Sequence, residues 1–119
     1  MINDQLLAEK LRTFAADREW DQFHTPKNIA ASIAVEAAEL LEIFQWSRGE
    51  KDWSSLSPDA DSALKQRVEE ELADILLYLI RFADKAGIDL EAACHQKLDK
   101  NSIKYPVAQF KGSDRKYNE

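Results

Sequence analysis

Hydrophobic residues recur along this chain at the three- and four-residue spacing of amphipathic helices. The spacing predicts four helices, over residues 4–17, 26–46, 62–86 and 90–102. Glycine and proline are scarce, with three of each among 119 residues, which favours long helices over a many-turned β fold. The sequence therefore predicts a single all-α domain of the four-helix-bundle kind over residues 1–119, with an irregular tail from about residue 103.

Local signals place the ends of these helices. Thr25 is a candidate N-cap, and Pro26 suits the first helical position because its missing N–H would have no intrahelical partner there. Gly87 is expected to end the third helix in the left-handed conformation, and Asp89 to cap the fourth. Gly49 and a polar connection over residues 50–61 are expected to separate the second helix from the third.

Each of the two central helices carries an apolar arc. In the second helix the arc consists of Ile29, Ile33, Ala37, Leu40, Leu41 and Phe44. In the third helix it consists of Leu64, Val68, Leu72, Ile75, Leu76 and Leu79. A constant shift along the chain superimposes the two arcs, and it also places Glu36 on Glu71 and Glu39 on Asp74. We expect the two helices to pack together with matched acidic edges.

These four carboxylates are the main candidates for chemistry. Positions i and i+3 lie on one side of a helix, so Glu36 with Glu39, and Glu71 with Asp74, each form a pair that points one way. Four carboxylates that converge need a cation or raised pKa values. Oxygen ligands suit Mg²⁺, with Mn²⁺ as an alternative, and Mg²⁺ suits phosphate chemistry. The alternative interpretation is that all four are ordinary solvated charges.

Other classes of protein are disfavoured. A di-iron site needs Glu-x-x-His, but neither His24 nor His95 follows a glutamate by three residues. The single Cys94 fits neither a structural zinc site nor an intrachain disulfide. A net charge of −6 argues against a broad grip on nucleic acid. No signal-peptide pattern or membrane-spanning apolar run is evident, so we expect a cytoplasmic protein without a membrane partner.

Further motifs occur in a fixed order along the chain. They are Trp20-Asp21-Gln22-Phe23-His24, Pro26-Lys27-Asn28, Phe44-Gln45-Trp46, Tyr78, Lys97 with Asn101, Lys104-Tyr105-Pro106 and Arg115-Lys116-Tyr117. Together with the paired carboxylates, they make the chain similar to the MazG-like, all-α nucleotide pyrophosphohydrolases, and most of all to the dCTP pyrophosphatase group. The connection between Glu39 and Glu71 is long for that superfamily.

The resemblance implies a Mg²⁺-dependent hydrolase that converts a nucleoside triphosphate, dCTP or a modified dCTP, to the monophosphate and pyrophosphate. It implies that Glu36, Glu39, Glu71 and Asp74 bind the metal and carry catalysis. Candidates for lining the base and sugar pocket are His24, Trp46, Tyr78 and Asn101. Lys97 and Lys104 are then candidate phosphate contacts.

Two other functions are compatible with the residues. One is a non-catalytic helical domain for protein interaction, on which the acidic edges would only decorate the surface. The other is a catalytically idle regulator that binds nucleotides. Four helices in a short chain bury a limited core, so leftover apolar surface favours a homo-oligomer. The resemblance also implies a homodimer or a homotetramer.

Overall fold

The longest helix, α3, spans Ser62–Ala86 in this computed structural model, and two shorter helices pack against it. These are α1, Asp4–Asp17, and α2, Pro26–Phe44, which are followed later in the chain by α4, Leu90–Lys104, and α5, Val107–Phe110. Short 3₁₀ turns occupy Asp21–Phe23 and Ser54–Leu56. The structure describes residues 1–47, 53–57 and 62–119, which contain no β-strand, so the prediction of an all-α fold is confirmed.

The described residues divide into two compact units, Met1–Ala86 and Gly87–Glu119. The core of the first unit consists of Ala8, Ala15, Ile29, Val68, Ile80 and Ala83. In the second unit the ring of Tyr105 packs edge-on against Phe110 and Tyr117, at centroid distances of 4.9 and 6.2 Å. The expected irregular tail is therefore partly helical and anchored by aromatic contacts. None of the described helices combines the length and apolarity that crossing a membrane requires.

The helix ends follow the local signals closely. Thr25 Oγ1 accepts a hydrogen bond from the Asn28 N–H at 3.2 Å, and Asp89 Oδ1 accepts one from the Ala92 N–H at 3.0 Å. Gly87 has a φ of 67°, as expected for a left-handed terminus. The helix α2 ends at Phe44, two residues before the predicted Trp46, and α4 continues two residues beyond Ser102. Gly49 and most of the predicted polar connection lie outside the described residues.

The apolar arcs are rotated from their predicted positions. Leu41 on α2 and Leu72 on α3 are 67% and 52% exposed, whereas Glu36 and Glu71 are half-buried. The inner seam of α2 runs through Ile29, Ile33, Glu36, Leu40 and Ile43, and that of α3 through Leu64, Val68, Glu71, Ile75 and Tyr78. Both seams keep alternating three- and four-residue spacing, and each includes a glutamate. The first acid of each pair therefore lies inside the helix contact and not at its edge.

A bidentate ion pair joins α1 to α3. Arg12 donates from Nε and Nη2 to the two carboxylate oxygens of Asp84, at 2.8 and 2.7 Å. The hydrogen bonds from Arg12 hold the pKa of Asp84 below its ordinary value. A lowered carboxyl pKa stabilises the fold above the unfolded-state pKa, and this contribution is lost as the pH falls through the folded-state pKa.

We expect Asp84→Asn to lower the melting temperature at pH 7, because the substitution removes the charged acceptor from Arg12. The difference from wild type should shrink as the pH is lowered into the acidic range, since the wild-type carboxyl then becomes protonated as well. Thermal melting across pH measures this, with the exposed Asp99→Asn on α4 as the control. Equal melting temperatures of wild type and Asp84→Asn at pH 7 would contradict a stabilising role for the pair.

Candidate functional site

Three carboxylates of α2 and α3 converge in the first unit. Glu36, Glu71 and Asp74 each offer one oxygen, and these oxygens lie within 4.8 Å of one another. Glu36 Oε2 and Glu71 Oε2 are buried, and neither has a hydrogen-bond partner among residues 1–47, 53–57 and 62–119. Buried oxygens without donors are costly, and a hard cation would satisfy them. The arrangement can therefore hold a metal ion.

The pKa values of Glu36 and Glu71 are raised, so the negative charge of the cluster is unfavourable without a cation. Burial, followed by the neighbouring carboxyls of Glu39 and Glu71, raises the pKa of Glu36 to about 7. Burial also raises the pKa of Glu71, and repulsion from Glu39 and Asp74 adds to this effect. Glu39 is exposed and lies outside the group of three, but it is near enough to act on both glutamates. The structure thus places three of the predicted acids in one tight group, with the fourth beside it.

A cavity of about 410 Å³ opens beside the acidic cluster. Its apolar wall consists of Leu7, Leu11, Phe14, Trp20 and Leu77. Its polar lining consists of Lys10, His24, Glu36, Asp74, Tyr78 and Arg81. Glu36 and Asp74 therefore belong both to the acidic cluster and to the cavity. A mostly apolar cavity with a small number of polar groups is the usual form of a small-molecule site.

Aromatic rings form one side of this cavity. Trp20 packs edge-on against Phe14 at 5.7 Å and against His24 at 6.4 Å, measured between ring centroids. Trp20 is brought there by a tight turn at the end of α1, in which Glu19 adopts a φ of 55° and the Trp20 N–H donates to the Ala15 carbonyl. Trp20, His24 and Tyr78 also line a neighbouring cavity of about 320 Å³. The rings offer flat apolar surface on which a planar group could stack.

His24 is held by a charged network that reaches across to α3. The Arg81 side chain donates from Nε to His24 Nδ1 at 3.1 Å and from Nη2 to Asp21 Oδ1 at 2.9 Å. Lys85 also donates to Asp21 Oδ1. The hydrogen bond from Lys85 is the main reason why the pKa of Asp21 is lowered. These contacts hold the 3₁₀ turn Asp21–Phe23 against α3, next to the cavity that His24 and Arg81 line.

The remaining predicted site residues are Trp46, just beyond α2, and three residues of α4. Trp46 is 88% exposed just beyond α2 and lines neither of the two cavities that border Trp20. Lys97, Asn101 and Lys104 lie on α4 in the second unit. Within that unit the Lys104 ammonium is the main cause of the lowered pKa of Lys97, so two positive charges lie close together. The roles of these four residues stay predictions.

Several residues of the site did not stand out in the sequence. The sequence does contain a signal for Arg81, because its guanidinium interrupts the apolar run from Leu77 to Phe82. Lys10 and Phe14 of α1 line the cavity, but their spacing is that of any amphipathic helix. Only the packing of α1 against α3 reveals that α1 supplies part of the wall.

Comparison with known proteins identifies similar sequences and a similar fold. The model of the MazG-like family matches residues 31–119. The human protein dCTP pyrophosphatase 1 is 41% identical over 107 residues, which cover 89% of this chain and 61% of the human protein. Its mouse counterpart is 39% identical over 106 residues, with the same two coverages. The chain thus spans about three fifths of the length of these curated relatives.

A solved structure shows the same fold. A pyrophosphatase from Archaeoglobus fulgidus superimposes with a TM-score of 0.70 and is 44% identical, covering 86% of this chain and 91% of that protein. The resemblance seen in the sequence motifs is therefore confirmed by the family model, by curated relatives and by a solved fold. This chain belongs to the MazG-like family.

Proposed function

We propose that this chain hydrolyses a nucleoside triphosphate, dCTP or a modified dCTP, to the monophosphate and pyrophosphate with Mg²⁺. The observation that carries the proposal is that a cavity lined by aromatic rings shares Glu36 and Asp74 with the acidic cluster. A base and sugar would occupy the apolar part, which brings the phosphates to the carboxylates. The names of the curated relatives support the same chemistry and the same substrate.

The acidic residues fit a magnesium ion. Glu36, Glu71 and Asp74 present hard oxygen ligands, two of them buried without a donor, and Glu39 lies beside them. When bound, Mg²⁺ supplies charge compensation for phosphate oxygens and lowers the pKa of a coordinated water. Mn²⁺ would fit the same oxygen set. Without a cation, triphosphate and carboxylates would repel each other, because all of them are negative.

The reaction consumes one water. The water oxygen bonds to one phosphorus of the α–β linkage, and the P–O bond from that phosphorus to the bridging oxygen breaks. The bridging oxygen leaves with the other phosphate group, and the proton lost by the water passes to a base and then to the leaving group or the solvent. We propose that the four carboxylates position this water and that one of them accepts its proton. Glu36 and Asp74 are suited to positioning the water because they belong to the acidic cluster and also line the cavity.

The substrate's other groups would meet polar side chains. We propose that His24 and Tyr78 contact the base and sugar, because both line the cavity beside Trp20. We propose the same role for Trp46 and Asn101, and the support for these two residues is the sequence resemblance alone. Lys97 and Lys104 are proposed phosphate contacts, and their close positive charges are relieved by an anion.

A homo-oligomer is part of the proposal. Leu41 and Leu72 are large apolar side chains that are exposed on neighbouring helices. Their burial against a second copy would remove apolar surface from water. A homodimer or a homotetramer would satisfy this requirement.

The function is tested by pyrophosphate release from dCTP, dTTP, dUTP and dATP with excess Mg²⁺. We expect the highest kcat/KM for dCTP and no release after EDTA treatment. Faster turnover of dATP would overturn the pyrimidine preference. Binding of dCTP without release of pyrophosphate would instead identify a nucleotide-binding regulator, and absence of both would favour a protein-interaction domain.

A further inference from the structure

Arg81 is a charged side chain in the interior of the first unit, only 5% exposed. It lies next to the core residue Ile80 on α3, and its partners are in the 3₁₀ turn and the residue that follows it. A buried guanidinium must be paired, since an unpaired charge in the interior is strongly destabilising. Arg81 is paired with Asp21, so its charge is compensated. Its contact with His24 therefore needs an explanation of its own.

The chemistry of that contact determines the state of the imidazole. Arginine only donates hydrogen bonds and keeps its charge in proteins. A nitrogen that accepts from Arg81 Nε must carry a free lone pair, so His24 Nδ1 is unprotonated. The ring proton of neutral His24 is then on Nε2. Burial, together with the charges of Arg81 and Lys85, lowers the pKa of His24, which agrees with a neutral ring.

The other ring nitrogen is available for a ligand. Nε2 of His24 has no hydrogen-bond partner in the part of the chain that the structure describes. His24 lines the cavity that Glu36, Asp74 and Tyr78 also line. A neutral imidazole with its proton on Nε2 can donate one hydrogen bond to a ligand and cannot accept one there.

We propose that Arg81 is a positioning residue that fixes His24 as the Nε2–H tautomer, so that His24 donates to an acceptor atom of the bound nucleotide. This inference rests on the proposed function for the identity of the ligand, but not for the state of the ring. The acceptor is a carbonyl oxygen, an unprotonated ring nitrogen or a sugar oxygen. A ligand that presents an N–H at this position would leave two donors facing each other, so it would be rejected.

Asp21 and Lys85 complete the arrangement in different ways. Asp21 accepts from both cations, so it neutralises Arg81 and fixes the direction of its guanidinium. Lys85 pairs with Asp21 but has no hydrogen bond to His24 within the described residues. Lys85→Met is therefore a matched control for Arg81→Met, because it removes a cation from the same carboxylate without removing the donor to Nδ1.

Nitrogen-15 NMR of the imidazole rings tests the proposal. The chain has two histidines, and His95 is exposed on α4, so it serves as an internal reference for a solvated ring. In wild type at neutral pH we expect His24 to show one neutral tautomer, protonated at Nε2. Because the charge of Lys85 also lowers the pKa of His24, the variants are compared at pH 8, where the ring is neutral in each of them. There we expect mixed tautomers in Arg81→Met and the single wild-type tautomer in Lys85→Met.

The kinetic readout uses the same variants with dCTP and Mg²⁺. We expect Arg81→Met to lower kcat/KM by about tenfold, as loss of one oriented hydrogen bond in a buried site would. A wild-type His24 that is charged or mixed overturns the proposal even if Arg81→Met does not fold. A normal kcat/KM in a folded Arg81→Met variant overturns the donor role. A locked tautomer in a protein that releases no pyrophosphate would refute the proposed function alone.

Discussion

Replacing Glu36 with glutamine is expected to remove nearly all turnover while raising the melting temperature of the metal-free protein. Glu36 is a half-buried member of the acidic cluster, and its buried Oε2 has no hydrogen-bond donor in the described chain. Its pKa is raised to about 7, chiefly by burial. Burial of a charge beside like charges costs free energy of folding, and the neutral amide avoids much of that cost.

The same substitution should damage catalysis because a metal ligand is lost. Loss of a ligand should reduce turnover by at least about 100-fold, since even changes to the groups that support ligands cost tenfold to 100-fold. Stability and activity therefore move in opposite directions, as is typical of functional sites. Asp74→Asn should give the same loss of turnover, because Asp74 also belongs to the cluster and the cavity.

The measurements are thermal melting after EDTA treatment and pyrophosphate release with excess Mg²⁺. Glu69→Gln is the control, because Glu69 is exposed on α3 and its neutralisation changes the net charge equally. The control should keep wild-type turnover and show only a small change in melting temperature. Wild-type turnover in Glu36→Gln would refute its catalytic assignment, whatever happened to the melting temperature.

The helices were predictable because their signals are local. A cap such as Thr25 or Asp89 acts on backbone groups within one turn, so the sequence neighbourhood contains the information. The same is true of Gly87, whose left-handed φ ends α3. The tail was less predictable because α5 is only four residues long and its anchor is the packing of Tyr105 against Phe110.

The spacing of the acidic pairs is also evident in the sequence, but the burial of Glu36 and Glu71 is not. Periodicity gives the relative angle of two residues on a helix, and it does not say which side faces the neighbour. Leu41 and Leu72 were placed in the apolar arcs, yet they face solvent in this chain while Glu36 and Glu71 line the seam. Exposed apolar side chains are common on protein surfaces, so a leucine in an apolar pattern does not by itself mark the buried face.

The network around His24 lies beyond local reasoning. Arg81 is separated from Asp21 and His24 by 60 and 57 positions, so only the packed structure reveals these pairs. The same holds for the wall that α1 adds to the cavity, since Phe14 is near Asp74 only after folding. Tertiary structure alone shows that Arg81 is buried and that Asp21 and His24 are its partners.

Of the substitutions proposed for this chain, Ile29→Ala is expected to lower the free energy of unfolding most. Ile29 is only 2% exposed on the first turns of α2, within the part of the first unit where α2 meets α3. Ile29→Ala removes buried apolar volume and leaves a cavity, which costs about 2–5 kcal/mol. This is a large part of the roughly 5–15 kcal/mol by which small domains are stable.

Val35→Ala is the matched control on the same helix. Val35 is 54% exposed, so its truncation should change the free energy of unfolding by no more than about 0.5 kcal/mol. Urea unfolding of both variants and wild type, at one low protein concentration, measures the difference. Ile29 also lines the neighbouring cavity of about 320 Å³ together with Trp20, His24 and Tyr78, which border the proposed nucleotide cavity as well. Folded Ile29→Ala should therefore bind dCTP more weakly. If Ile29→Ala and Val35→Ala were equally stable, the assignment of Ile29 to the core that supports the site would be wrong.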